Sequence, residues 1–208
     1  MTSGMNQSDV AGIILTGGRS TRMGLDKATL SLAGRPMWQW VADALRPVVD
    51  RIILVGAIPG LEVEAPLALV ADSPPGFGPL GGLATGLEKS GKFHHLVVAA
   101  DYPLVRPELL RLLLLKAPGH LAVCGRTKLF LEPLVGYYHS GCAPVARAML
   151  AEGELRTHVL FNRMASHVLS DEEYETVDPK RQSQFNVNTP DDRARADELL
   201  RQQANPAA

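Results

Sequence analysis

The chain has 208 residues, of which 46% are hydrophobic and 21% charged, and a formal net charge of −1. That length and composition suit one globular domain with a sizeable core. A charge this close to zero leaves no general basic field to hold nucleic acid, so a bound anion must be met by local cations. The longest strongly apolar stretch, Leu109 to Leu115, is broken by Arg111 and is far too short to span a bilayer.

Met1 to Asp9 is polar and lacks the charged start and apolar centre of a signal peptide. It reads as a frayed extension. Val10 to Leu15 is a short apolar run suited to a buried parallel strand. The next stretch, to Lys27, carries Gly17, Gly18, Gly24, Arg19 and Arg22 and shows no apolar periodicity. Pro36 to Val48 reads as a helix, with Pro36 in its first turn and Trp40, Val41, Ala44, Leu45 and Val48 on one face. Arg51–Val55 and Leu67–Val70 are strands, and Asp72 follows the second. The loop from Ser73 to Pro79 is dense in breakers, and a helix from about Leu80 to Lys89 comes after it.

His95 to Ala100 is the next strand and ends at Asp101. Pro107–Lys116 is a helix and Leu121–Cys124 a strand. This alternation predicts a single α/β domain: a mostly parallel sheet between two helical layers. Glu132–Tyr138 is a further strand, with its proline near the start where it is tolerated. Pro144–Glu152 and about Leu155–Met164 look helical, and Phe185–Pro190 is extended. Thr189 caps a last helix, with Pro190 in its first turn and Asp191 and Asp192 complementing the dipole. The domain is expected over residues 10–202, with disordered tails at 1–9 and 203–208. Cys124 and Cys142 sit among small apolar residues, so they read as buried packing thiols in a reduced, cytoplasmic protein.

Three positions share one address. Lys27 lies beyond the first strand, Asp72 follows a middle strand, and Asp101 ends the most apolar one. In a parallel sheet these ends lie on one edge, where open α/β sheets bind ligands. Gly17 and Gly18 let backbone approach a ligand closely. Arg22 and Lys27 would offset a triphosphate's charge and the charge that grows in a transition state. Asp101 is placed to hold magnesium, which takes few carboxylates plus phosphate oxygens and waters. Singly, each Asp could be a turn residue and the cations a solvated loop face; their coincidence favours a polyphosphate site. His94 and His95 lack partners at metal-ligand spacing, so zinc is not expected. The loop is not a Walker P-loop, because Gly24 is followed by Leu25-Asp26-Lys27-Ala28, and Gly17-Gly18-Arg19 lacks the spacing of the dinucleotide fingerprint.

Leu15-Thr16-Gly17-Gly18-Arg19-Ser20-Thr21-Arg22-Met23-Gly24-Leu25-Asp26-Lys27 resembles the signature loop of nucleotidyltransferases with a Rossmann-like three-layer fold. Within that group it is most similar to the molybdenum cofactor guanylyltransferases. Three later segments agree in order: Asp72 to Gly82, Ala100-Asp101-Tyr102-Pro103, and Asn186-Val187-Asn188-Thr189-Pro190-Asp191-Asp192. The resemblance covers about residues 11–200. It implies transfer of GMP from GTP to the terminal phosphate of molybdopterin, with magnesium required and pyrophosphate released. By matching position it implies GTP binding by Leu15, Gly17, Gly18, Lys27 and Asp72, with Thr16, Gly78 and Gly82 completing the set. Asp101 would bind both magnesium and GTP, and Asn186 and Asn188 would lie toward the pterin. Arg22, Lys27 and Asp101 are the expected catalytic residues. Molybdenum insertion proteins and acceptor molybdoenzymes are the implied protein partners, with no nucleic acid and no membrane.

The chain departs from the family pattern at places. Thr16 replaces an alanine and adds a hydroxyl near the expected base or ribose. Ala100 replaces a cysteine. Some members carry a GTP-contacting asparagine after the second strand, where this chain has about Gly56. Arg156 falls in a basic spot of the family, but a surface ion pair is the preferred reading. The alternatives are a molybdopterin cytidylyltransferase, a sugar-1-phosphate nucleotidyltransferase, or a non-catalytic nucleotide-binding partner of molybdoenzymes.

Overall fold

The computed structural model describes residues 5–17, 30–56, 61–63, 65, 67–72, 75–127 and 130–204. In chain order the elements are β1 (Val10–Leu15), β2 (Ser31–Leu32), β3 (Arg35–Pro36), α1 (Met37–Leu45), β4 (Arg51–Val55), β5 (Leu67–Val70), α2 (Gly78–Lys89), β6 (His94–Ala99), α3 (Pro107–Leu115), β7 (Ala122–Arg126), β8 (Leu131–His139), α4 (Cys142–Ala151), α5 (Thr157–Leu160), β9 (Ser166–Val168), α6 (Asp171–Glu175) and α7 (Pro190–Ala204). Among the described residues, seven strands form one sheet in the order β5-β4-β1-β6-β8-β7-β9. All neighbours pair in parallel except at β8, which runs antiparallel to both β6 and β7.

Every residue of β1 is buried, so the sheet is covered on both faces there. Alternate residues of a strand point to opposite faces. A Cβ on Gly12 would meet Leu45 of α1 at 3.2 Å, whereas a Cβ on Gly86 of α2 would meet Ile13 at 2.7 Å. Thus α1 packs on the Gly12 face and α2 on the Ile13 face. Gly82 and Gly86, one helical turn apart, let α2 lie close to the sheet. The strand order turns around at β1: β4 and β5 lie on one side of it, β6 on the other. Such a reversal opens a crevice beyond the carboxyl ends of the strands.

Several expectations shift. The helix predicted from Pro36 begins at Met37 and ends at Leu45. Trp40 is not on its fully buried face: its indole N–H donates to the Leu32 carbonyl at 3.0 Å, and Arg35 stacks on its ring. Val41, Ala44, Leu45 and Val48 are buried as expected, and Met37, Trp38 and Ala42 join them in the core. The helical piece expected over 155–164 is a single turn, α5, followed by a 3-10 turn at Phe161–Arg163. Structure also extends into both expected tails. Gln7–Asp9 forms a 3-10 turn, Gln7 donates to the Arg46 carbonyl at 3.0 Å, and α7 continues to Ala204.

The β2–β3 hairpin, β9 and α6 have no counterpart in the sequence reading. They are too short for periodicity to register. The hairpin's turn holds Ala33 at φ 47 and Gly34 at φ 80, the left-handed pair a two-residue hairpin needs. Ala33 tolerates this because its N–H donates to Asp197 of α7 at 2.5 Å. Leu30, Leu32, Met37 and Leu104 meet Val187, Ala196 and Leu200 there in a second, smaller core. This core clamps the C-terminal segment onto the domain.

Candidate active site

A row of backbone hydrogen bonds continues past the strand ends and builds the rim of the crevice. Gly56 N–H donates to Val70 O at 3.0 Å, Thr16 N–H to Val55 O at 2.9 Å, and Ala100 N–H to Leu15 O at 2.9 Å. Val187 N–H then donates to Asp101 O at 2.9 Å. The row runs from the end of β5 to the C-terminal segment. It carries Asp72, Gly56, Thr16, Gly17, Asp101 and Asn186 along one edge. Gly18, Arg22 and Lys27 lie outside the described residues, as does the rest of the 18–29 stretch.

Asp72 leans over the end of β4. Its Oδ2 is 3.1 Å from where a Cβ on Gly17 would stand, and its Oδ1 is 3.3 Å from the corresponding point on Gly82. That Oδ1 is buried without a hydrogen-bond partner among the described residues. Burial pushes the Asp72 carboxyl above its usual range. Gly17 and Gly82 leave room for this carboxylate, and a side chain at either would crowd it. Gly78 opens α2 at φ 62. The first turn of α2 faces the same edge, with its N–H groups and the positive end of the helix dipole.

Thr16 and Gly56 are locked together. The Thr16 hydroxyl donates to Val55 O at 3.0 Å, and the side chain is buried. The hydroxyl is therefore engaged within the fold at the base of the loop. Gly56 stands at φ 127, and a Cβ there would fall 2.5 Å from Gly17 N. A side chain fits there only if backbone moves. Leu15 is buried, and its carbonyl anchors Ala100.

On the other side of β1, Asp101 follows β6. Two residues that the sequence reading did not single out complete its surroundings. Tyr102 is buried, and its hydroxyl donates to Glu132 Oε1 at 2.5 Å. Asn186 Nδ2 donates to the same Tyr102 oxygen at 3.2 Å. Burial raises the Glu132 carboxyl; the Tyr102 hydrogen bond lowers it, and the Asp101 charge raises it further. Burial, with the Glu132 charge, also raises the Tyr102 hydroxyl far above its usual value. Glu132 reaches this edge because β8 is antiparallel to β6, which sets the start of β8 against the end of β6. A strand's own alternation carries no sign of its direction in the sheet, so no signal in the sequence could have found it.

Asn186 is half-buried beside Tyr102, and Asn188 is exposed, with its N–H donating to Asp192 at 3.1 Å. Asp192 N–H donates to the Thr189 hydroxyl at 3.1 Å, while the Asp192 carboxylate accepts from Thr189 N–H at 2.9 Å. Thr189 thus caps α7 reciprocally. Arg156 is exposed and pairs with Glu154 at 2.5 Å. His95 is not exposed for ligation: it is buried between Ser90 Oγ at 2.5 Å and the Tyr138 carbonyl at 3.0 Å. Cys124 and Cys142 are buried free thiols, each pushed up to about 12 by burial.

The donors along this edge are oxygens: the carboxylates of Asp72, Asp101 and Glu132 and the amide of Asn186. Oxygen donors suit a hard cation. No cluster of three or more His, Cys, Asp or Glu among the described residues could hold a metal. A magnesium ion, which usually keeps several waters and takes phosphate oxygens, fits so sparse a set.

Comparison with known proteins agrees with this architecture. Residues 12–168 match the model of the MobA-like NTP transferase domain. The molybdenum cofactor guanylyltransferase of Cereibacter sphaeroides is 34% identical, over 93% of this chain and 98% of that one. The protein of the same name from Desulfosudis oleivorans is 28% identical, over 92% of this chain and 96% of the other. The crystal structure of molybdopterin-guanine dinucleotide biosynthesis protein A from Archaeoglobus fulgidus superposes with a TM-score of 0.79 at 26% identity, covering 92% of this chain and 99% of that chain. The matched span begins within β1, at Gly12, and includes Gly17, Gly56, Asp72, Gly78, Gly82, Asp101 and Glu132. The chain belongs to the family of MobA-like NTP transferase domains.

Proposed function

We propose that this protein is a molybdenum cofactor guanylyltransferase, which transfers GMP from GTP to the terminal phosphate of molybdopterin and releases pyrophosphate. The observation that carries the reading is the continuous rim. One row of hydrogen bonds brings Thr16 and Gly17 after β1, Asp72 and Asp101 alongside the Asn186–Asn188 segment. A donor nucleotide and an acceptor phosphate need two neighbouring subsites, and the two halves of this edge support that reading. In this reading GTP lies over the β1 exit, between Gly17, Gly78, Gly82 and Asp72, with Leu15 and Thr16 at the end of the strand, and Gly18 is assigned to the same nucleotide. Molybdopterin lies toward Asn186 and Asn188.

The chemistry asks little proton transfer of the protein. A phosphate monoester is already ionised at neutral pH, so its oxygen attacks the α-phosphorus directly. The bond from that phosphorus to the bridging oxygen breaks, and pyrophosphate leaves with the electron pair. Catalysis then rests on in-line positioning and on neutralising charge. Arg22 and Lys27 supply cations against the phosphates. Asp101 would hold the magnesium ion, which, when bound, neutralises phosphate charge and polarises the reacting oxygens. Neighbouring Glu132 adds negative charge to the same corner. No helix among the described residues is long and apolar enough to cross a membrane. Cytoplasmic action, receipt of the pterin from a molybdenum insertion protein and delivery to molybdoenzymes belong to the same proposal.

The test is pyrophosphate release from each nucleoside triphosphate, with molybdopterin and magnesium supplied. GTP is expected to support release and CTP to be a poor substrate, because a site that hydrogen-bonds one base edge rejects another strongly. Faster release with CTP than with GTP overturns the assignment of the base.

A further inference from the structure

We infer that Phe130 is a substrate-binding residue whose ring is a stacking platform for the flat heterocycle of the acceptor. The inference rests on the functional reading above and deepens its acceptor half. Among the described residues two phenylalanines are strongly exposed, Phe93 at 71% and Phe130 at 72%. Their places in the sheet differ. Phe93 comes just before β6, so it lies at the amino edge of the parallel strands, where its ring stacks on His139. Phe130 comes just before β8, which runs antiparallel to β6. That direction puts Phe130 at the carboxyl edge, on the side of Asp101.

The hairpin that carries Phe130 is pinned against the acceptor segment at both feet. On the β7 side, the Arg126 carbonyl accepts from Gln184 Nε2 at 2.9 Å and from Arg181 Nη1 at 3.1 Å. On the β8 side, Glu132 meets the Tyr102 hydroxyl at 2.5 Å, and the same hydroxyl meets Asn186 Nδ2 at 3.2 Å. Pairing of β7 with β8 shifts register between Cys124 and Gly125, an irregularity of the kind that bends a strand and re-aims its end. Two residues of extended chain span about 7 Å, so the Phe130 Cα stands no farther than that from the Glu132 Cα. The Phe130 backbone is itself held: Thr127 N–H donates to Phe130 O at 2.8 Å, and Phe130 N–H donates to Thr127 Oγ1 at 3.0 Å. A ring on a fixed backbone loses little further freedom when a ligand covers it.

The rest of this corner is polar. Asp101, Glu132 and Asn186 offer oxygens and an amide. Tyr102 is buried, and Phe185 carries Arg195 over its ring at 5.3 Å. Phe130 keeps its ring open. The pyrimidine end of a pterin is flat and conjugated, and an aromatic side chain gains by stacking on such a face.

The experiment is pyrophosphate release at saturating GTP and magnesium, with free molybdopterin varied, for Phe130→Ala, Phe130→Leu and Phe130→Trp. Phe130→Ala and Phe130→Leu are expected to raise KM for molybdopterin about tenfold, the usual scale for losing one stacked ring, with kcat and KM for GTP unchanged. Phe130→Leu keeps apolar bulk without a flat face, so it separates stacking from simple apolar contact. Phe130→Trp is expected to keep the KM. Its indole fluorescence should also change on adding molybdopterin without GTP, beyond any change in the unaltered protein. All three variants should melt with the unaltered protein, because the ring lies mostly in solvent. A molybdopterin KM left unchanged by Phe130→Ala overturns the inference, and is the result expected if Phe130 serves a protein partner. An unaltered KM in Phe130→Leu, or a rise in KM for GTP in place of molybdopterin, overturns it too. Absence of pyrophosphate release by the unaltered protein would instead overturn the underlying functional reading.

Discussion

The Val187 N–H donates to the Asp101 carbonyl at 2.9 Å, joining two segments far apart in the chain. Val187 is fully buried in the second core, so this bond has a fixed register. Its neighbours are Asn186, held at Tyr102, and Asn188, exposed at the cap of α7. The tie is made by the backbone of Asp101, so it survives a change of the Asp101 side chain. Structural and chemical roles at this position are therefore separable.

Asp101→Ala is accordingly expected to fold with a melting temperature close to that of the unaltered protein. Its rate of pyrophosphate release should fall by at least about 100-fold, the usual cost of removing a preorganised electrostatic group. Lys27→Ala should fall by a similar factor. Release at the unaltered rate from Asp101→Ala, with magnesium present, would show that the carboxylate holds no catalytic metal.

Gly56→Ala tests the rim. The added Cβ would fall 2.5 Å from Gly17 N at a φ of 127, so backbone must move. We expect a loss of about 2 kcal/mol in urea unfolding. Weaker GTP binding should accompany it, because Gly17 moves with the strain. A Gly56→Ala variant that binds GTP normally would place the ligand elsewhere on the edge.

His95 makes stability depend on pH. Burial lowers its pKa from 6.5 to about 4, with the Tyr138 carbonyl opposing that shift. The unfolded chain takes up a proton below pH 6.5, while the folded chain resists until about pH 4. The stability His95 contributes is thus complete above pH 6.5 and is lost progressively as pH falls toward 4. At pH 5 the loss amounts to about 2 kcal/mol relative to pH 7.5. Urea titrations at the two pH values should show this drop, and His95→Gln should lose most of it. An equal drop in the variant would assign the pH dependence to other groups.

Thr189→Ala removes the side-chain cap of α7, whose hydroxyl accepts the Asp192 N–H at 3.1 Å. Chemical denaturation should report a loss of about 1 kcal/mol. The docking of α7 on the β2–β3 hairpin makes this loss global. Fraying confined to the helix, seen as fast amide exchange without a change in the unfolding midpoint, would contradict it.

The alternation of apolar runs and amphipathic stretches was enough to place β1, β4, β5, β6 and α3 within a residue or two, and with them Asp72 and Asp101 at strand ends. Local pattern suffices there because buried parallel strands are apolar throughout and their exits are marked by Gly, Pro and Asp. The cap of α7 was legible for the same reason: Thr189, Pro190 and Asp192 act within one turn. Other features depend on which strand lies beside which, and no residue's own periodicity reports that. Antiparallel β8 carries Glu132 to the end of β6. The inward turn of the Thr16 hydroxyl requires Val55 beside it, and the bare backbone of Gly56 answers the approach of Gly17. The β2–β3 hairpin exists because α7 covers it. By itself, then, the sequence determined the elements, their order and the identity of the residues that could carry chemistry. The tertiary structure alone decided which of those residues face one another, because a hydrogen bond such as Val187 to Asp101 is specified by packing between distant segments and by nothing local to either.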